Sequence, residues 1–184
     1  LFRSHAHTAR RTRRRMCARQ SQRTHLSKVN VVSAAIEPRL RLMLVAKDDI
    51  AKGEPAFTCR PDEVTRDHTW RTIQIDFNRH LKNDLLDYVD HSCEPNAVFD
   101  VDRLAMIALG PIRKGEPITF FYPGAEVELA MDFDCRCGSR ECIGHVKGGF
   151  YLTAPQMRRA LERGYCTRFM QQQFRRLLEL PHEA

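Results

Sequence analysis

The chain has no acidic residue among its first 28 positions, no apolar run approaching a membrane span, and no secretory signal. Its richest apolar stretch, Leu40 to Ala46, is interrupted by Arg41 and flanked by Arg39 and Lys47. That falls well short of the roughly 20 apolar residues that cross a bilayer, so a soluble protein with no membrane partner is expected. The missing acids locate the net charge of +7. Nine Lys or Arg fall at or before Lys28, leaving 21 of the 30 bases against all 23 acids. The body of the chain is therefore slightly acidic, and a generally basic nucleic-acid-binding domain is excluded. Seven cysteines without a secretory signal point to a reducing compartment, nuclear or cytoplasmic, where close Cys spacings are more often metal sites than disulfides.

At 184 residues the chain fits one domain with an appendage. Residues 1–28, rich in Arg, Ser, Thr and His, read as a disordered basic arm. Four uses stay open for it: an organellar transit peptide, a nuclear-localisation run, a nucleic-acid contact, or a solvated tail. Val29 to Ala46 is apolar and β-branched, with a break at Glu37-Pro38, which predicts two strands around a turn. Ile50-Ala51-Lys52-Gly53-Glu54-Pro55 returns as Ile112-Arg113-Lys114-Gly115-Glu116-Pro117, and each copy leads into an apolar run. The pair predicts two equivalent strand-entry turns, although a recurring polar turn with a useful Gly explains it equally well.

Alternation of Ile73, Ile75 and Phe77 with polar residues predicts a half-buried strand. Leu81, Leu85, Leu86 and Val89 are spaced for a short helix leading to His91. Ala97 to Val101 and Leu104 to Leu109 read as strands joined by a turn at Asp102-Arg103. Near the end, Thr153 with Gln156 forms a capping box, and Gly164 stands where a helix over Pro155 to Arg163 would stop. A second helix from Cys166 to Leu178 carries Phe169, Met170, Phe174 and Leu177 on one face. The reading is therefore α+β and predominantly β.

The chemistry is concentrated between Asp90 and Cys142. Cys135-x-Cys137-x4-Cys142 places three thiols in one loop, whereas a closed tetrahedral zinc site needs four ligands. Cys93 is the first choice for the fourth and His145 the second. A reactive thiol cluster is the alternative to metal. An acidic bias through Asp84, Asp87, Asp90, Glu94, Asp100 and Asp102 would suit a basic peptide partner, or be no more than a solvated face.

Three runs together carry a resemblance: His91-Ser92-Cys93-x-Pro95-Asn96, then Gly115-Glu116-x-Ile118-Thr119-Phe120-x-Tyr122, then the Cys-x-Cys-x4-Cys loop. In order and separation they resemble SET-domain protein-lysine N-methyltransferases with a post-SET zinc loop. The resemblance spans about residues 40–150. It implies a fold of short curled sheets with a threaded, pseudoknot-like active site and C-terminal helices. It also implies a SET-like domain over 29–132, a post-SET loop over 133–152 and a helical segment over 153–184. The implied cofactors are S-adenosylmethionine and zinc, and the implied substrate is a lysine-bearing protein or peptide. By the same resemblance Tyr122 is catalytic, Asp90 and His91 contact the cofactor, Phe120 lines the lysine channel, and Cys93, Cys135, Cys137 and Cys142 hold zinc.

Departures accompany the likeness. Where the family carries a Gly-x-Gly pair against the cofactor, this chain has Arg41-Leu42-Met43. The family's Asn before the His is Asp90, and Phe121 replaces the acid that usually precedes the tyrosine. Besides methyl transfer to lysine, a catalytically weak SET-like zinc module that binds proteins therefore stays open. So does nucleic-acid binding through the arm, which would be steeply salt-dependent.

Overall fold

In the computed structural model, residues 27–36 and 39–179 are described. The basic-arm and turn-tip expectations over residues 1–26 and at Glu37-Pro38 lie outside them. Ser27 and Lys28 do not belong with the arm. Ser27 bridges Phe57, Lys28 N donates to Ala56 O at 2.8 Å, and Lys28 Nζ pairs with Glu54 Oε2 at 2.8 Å.

Strands β1 (Val29–Ile36) and β2 (Arg39–Ala46) form the predicted antiparallel hairpin. After it, Ile50 and Ile112 exchange backbone hydrogen bonds of 2.8 and 2.9 Å, so the two repeated turns face each other. They are built alike. Gly53 and Gly115 both take a positive φ, of 83° and 85°. Glu54 and Glu116 each turn a carboxylate back to a backbone N–H three residues earlier, on Ala51 and Arg113, both at 2.9 Å. Gly53 N reaches Ala108 O and Gly115 N reaches Ala46 O, so one motif ties the chain to two different strands.

The remaining strands are short. β3 (Pro55–Thr58) joins the hairpin of β8 (Ala97–Asp100) and β9 (Ala105–Ala108) in the order β3-β9-β8. The Asp100 carboxylate accepts from Asp102 N and Arg103 N, which closes the predicted turn. β4 (Val64–Thr65), β5 (Thr72–Asp76) and β6 (Arg79–Lys82) form a second three-stranded sheet in the order β4-β6-β5. β7 (Asp90–His91) runs parallel to β10 (Thr119–Phe120), and β11 (Phe133–Asp134) pairs with β12 (His145–Val146).

Two sequence readings are corrected. The predicted helix over Leu81–Val89 is a single 3-10 turn at Leu86–Tyr88, because Leu81 is taken into β6 and the Asn83 side chain caps Leu85 N at 3.0 Å. The alternation in β5 fails at Gln74. Gln74 is buried with Ile73, while Phe77 is exposed. Its side-chain oxygen accepts from Val127 N at 2.9 Å, a distant demand that its own stretch does not reveal.

Helix α1 (Ala154–Glu162) opens with the Thr153/Gln156 capping box and is followed by Gly164 at φ 70°. Helix α2 (Arg168–Glu179) buries Phe169, Met170 and Phe174. None of the helices among the described residues is long and apolar enough to cross a membrane. Two apolar cores result. Leu44, Ile50, Phe57, Ile73, Leu81, Phe99 and Met106 fill the one among the sheets. Phe121, Leu152, Met157, Met170 and Phe174 fill the other beneath the helices, with the cysteine loop packed against it. Phe120 belongs to the first core and Phe121 to the second, since successive residues of an extended strand point to opposite sides.

Candidate functional site

Parallel pairing of β7 with β10 brings the two central sequence runs together. Ser92 N extends it, donating to Phe120 O at 3.1 Å. Asn96 then fixes one run on the other. Its side chain accepts from Thr119 N at 2.9 Å and donates to Pro117 O at 2.8 Å. The first turn beyond the strand, Tyr122–Gly124, presents Tyr122 across from His91.

Tyr122 N donates to His91 Nδ1 at 3.3 Å, and His91 Nε2 lies 3.4 Å from Cys93 Sγ. Burial lowers the His91 imidazole to about 4, so the ring is neutral at physiological pH. With Nδ1 accepting, the proton resides on Nε2 and points at the sulfur. The Tyr122 hydroxyl donates to Val89 O at 2.7 Å. Phe120 lies 4.6 Å from the Tyr122 ring centre, and Phe133 stands edge-on to both Tyr122 and His91 at 5.9 and 5.7 Å. The phenol is thus confined on several sides by rings that leave it little room to rotate.

These side chains line a cavity of about 1060 Å³. Met43, Asp90, His91, Phe120 and Tyr122 all contribute to its wall. Leu42 does not, being half exposed, and Arg41 is placed only by its backbone pairing with Ala34. At the rim, Trp70 and Met131 are 64% and 65% exposed, so apolar surface borders the opening. Arg71, also in the wall, donates through Nε to Asp87 at 2.8 Å.

The acidic bias seen in sequence is largely used internally. Asp87 serves Arg71, Asp102 pairs with Arg168 at 2.8 Å, Glu94 lies 3.7 Å from Arg163, and Asp100 caps its turn.

Cys93, Cys135, Cys137 and Cys142 converge, with all four sulfurs within 4.8 Å of one another. None is in a disulfide. Cys93 and Cys135 Sγ are 3.9 Å apart, against about 3.8 Å for the edge of a tetrahedron with 2.3 Å metal–sulfur bonds. Burial pushes the Cys93 thiol well up and Cys135 to about 11. It also works to raise Cys137, but backbone hydrogen bonds at Cys93 and Ser139, together with the neighbouring Cys135 and Cys93 side chains, outweigh it and bring that thiol to about 7. Backbone N–H groups of Ile143 and Gly144 approach the Cys93 and Cys142 sulfurs at 3.4 Å. One buried and three half-buried thiols, two of them already supplied with backbone donors, have the composition and spacing that fit a closed tetrahedral cation. His145, the second choice for fourth ligand, is engaged elsewhere. It binds Asp134 at 2.7 Å and Asp132 at 3.0 Å.

Phe133, Trp70, Glu126 and His68 also line the cavity, and none was marked by sequence reasoning. Each comes from a segment outside the three motifs. The only signal near them is the position of Glu126, four residues beyond Tyr122.

A family model described as SET domain matches residues 41–123, a span that runs from within β2 through Tyr122 and stops short of the cysteine loop. The protein named Methyltransferase flvH, from Aspergillus flavus, is 34% identical over 95 residues, covering 50% of this chain and 53% of that protein. The chain thus spans about half the length of the curated relative it matches. The segment that carries the cavity, residues 41–123, is thus similar to the SET domain.

Proposed function

We propose that this protein transfers a methyl group from S-adenosylmethionine to a lysine side chain of a protein or peptide, and that its four clustered cysteines hold a structural zinc ion. The observation that carries this reading is the meeting of Met43, Asp90, His91, Phe120 and Tyr122 on one cavity, directly beside the four-thiol cluster. Its volume of about 1060 Å³ lies at the upper end of ordinary ligand pockets, room enough for a nucleoside cofactor and an entering side chain.

The cofactor, when bound, supplies an electrophilic methyl group. The protein's contribution is position and dryness. A lysine ammonium has no lone pair, so its proton must leave before attack. Phe120 and Phe133, with their apolar surfaces, favour the neutral amine by disfavouring charge. The Tyr122 hydroxyl commits its hydrogen to Val89 O, so its oxygen acts as an acceptor that can orient an amine N–H. Confinement of its ring makes that orientation inexpensive in entropy, and alignment of donor and acceptor accounts for much of the rate. Neutral His91 fixes the backbone at Tyr122 from one nitrogen and Cys93 from the other, coupling the metal cluster to the catalytic turn.

Met43 favours a second reading. Its side chain stands on the cavity wall where the family's bare backbone would approach the cofactor. On that reading the chain is a SET-like module that binds proteins without methyl transfer. Calorimetry with S-adenosylmethionine on the zinc-loaded protein separates the two, since absence of binding removes the enzyme reading. Tyr122→Phe is expected to leave cofactor affinity nearly unchanged and slow methylation of peptide arrays by about 100-fold. Unchanged turnover in that variant would refute the role given to the hydroxyl.

A further inference from the structure

Outside the thiol cluster, a second set of side chains of metal-ligating type converges beside the cavity, two of them in its wall. His80 is in the middle strand of the β4-β6-β5 sheet, His68 is on the loop between β4 and β5, and Glu126 follows the Tyr122 turn. One donor atom of each lies within 4.8 Å of the other two. The two imidazoles stack at 5.0 Å with an angle of 22° between their planes. His68 Nε2 is 3.9 Å from Glu126 Oε2.

Burial makes this cluster unlike a chance surface grouping. His80 is 4% exposed and Glu126 6% exposed. Glu126 Oε1 accepts from Gln74 N at 2.6 Å, which anchors the carboxylate and aims its other oxygen at His68. That other oxygen, Oε2, has no hydrogen-bond partner among the described residues, and neither has His80 Nδ1. Buried polar atoms are nearly always partnered, so two orphans on adjacent side chains call for a ligand. Without one, burial holds the Glu126 carboxyl up to about 8 and the His80 imidazole below its usual value, so both buried groups disfavour charge.

We infer that His68, His80 and Glu126 form a second cation site, taking a first-row divalent ion of the zinc type through two imidazole nitrogens and one carboxylate oxygen. Two nitrogens and one oxygen suit such borderline ions better than calcium or magnesium, which prefer all-oxygen sets. Donors around a tetrahedral zinc ion lie about 3.3 Å apart, so the exposed His68 would move inward by about 1 Å. Three protein ligands leave a position open, and both His68 and Glu126 line the cavity, so that position faces it. A bound ion would pin the β5–β6 wall to the segment after Tyr122. The inference concerns metal binding alone and stands or falls independently of methyl transfer.

The test is a cobalt(II) titration of the full chain after its thiol cluster has been filled with zinc, followed by absorption and calorimetry. One further equivalent is expected, with visible bands of a nitrogen–oxygen site and no sulfur-to-cobalt charge transfer. His68→Ala and Glu126→Gln should each weaken that equivalent by about tenfold or more while leaving the thiol-bound zinc in place. His68 is a surface side chain, so its variant decides the matter if the buried Glu126 variant does not fold. Absence of a further equivalent up to millimolar cobalt, or equal affinity in the wild type and His68→Ala, would overturn the site.

Discussion

Burial holds His91 neutral, near 4, whereas His145, exposed between two carboxylates, is pushed the opposite way, above the usual histidine value. The hydrogen bond to Asp134 is the larger cause and that to Asp132 the next. Both ring nitrogens face carboxylate oxygens, so the protonated ring donates twice and is favoured. Because the folded value is raised, the stability this contact gives is complete below the unfolded histidine value. It is lost as pH rises through the folded one. Imidazole carbon shifts in an NMR titration of the metal-loaded protein should place His145 above the ordinary range, and Asp134→Asn should bring it down. A ring that does not titrate at all would instead mean that His145 is a metal ligand after all.

The turn Tyr122–Gly124 is the element on which the site depends, because both cores and the cavity meet there. A β-carbon on Gly124 would collide with the Tyr165 carbonyl and lie 3.2 Å from the Phe121 ring. Neither neighbour yields easily, since one is backbone and the other is buried. Gly124→Ala is therefore expected to destabilise the fold by about 2 kcal/mol, within the range for overpacked cores. Gly110→Ala, with nothing within 4 Å of the added carbon, should change stability by less than about 0.5 kcal/mol. Equal denaturation midpoints for the two variants would contradict this account. Elements of this kind were legible in the sequence when their causes were local. The twin Gly-Glu turns and the Thr153/Gln156 box could be read because glycine at positive φ and side chains bonding three residues away act within one turn. Gln74 and the Leu81–Val89 segment were misread because their partners lie elsewhere: Val127 and Glu126 hold Gln74, and β5 captures Leu81. The same reason hid Phe133 and Glu126 from the site.

At the scale of the molecule, the two cores differ in what holds them. The sheet core is closed by strand pairing and by the mutual bonds of Ile50 and Ile112, and it includes no member of the thiol cluster. The helical core includes Cys93 and has Cys135, Cys137 and Cys142 packed on its side. From that loop the Glu141 carbonyl accepts from Arg159 Nη2 at 3.0 Å, linking the cysteines to α1. A cation bound by four thiolates would therefore bear mainly on residues beyond Tyr122, because its loss leaves a short loop with little regular structure to hold itself together. Chelation is expected to raise hydrogen exchange first over 133–146, then in α1 and α2, while β8, β9 and the strands beside them keep their protection. Cys93→Ser should reproduce this pattern although its own segment lies among the sheets, since it removes the ligand that joins the two halves. Exchange mass spectrometry would show it peptide by peptide. A uniform loss of protection across both cores would mean that the helices are structurally inseparable from the sheets, and no change at all would mean that the thiols hold no ion.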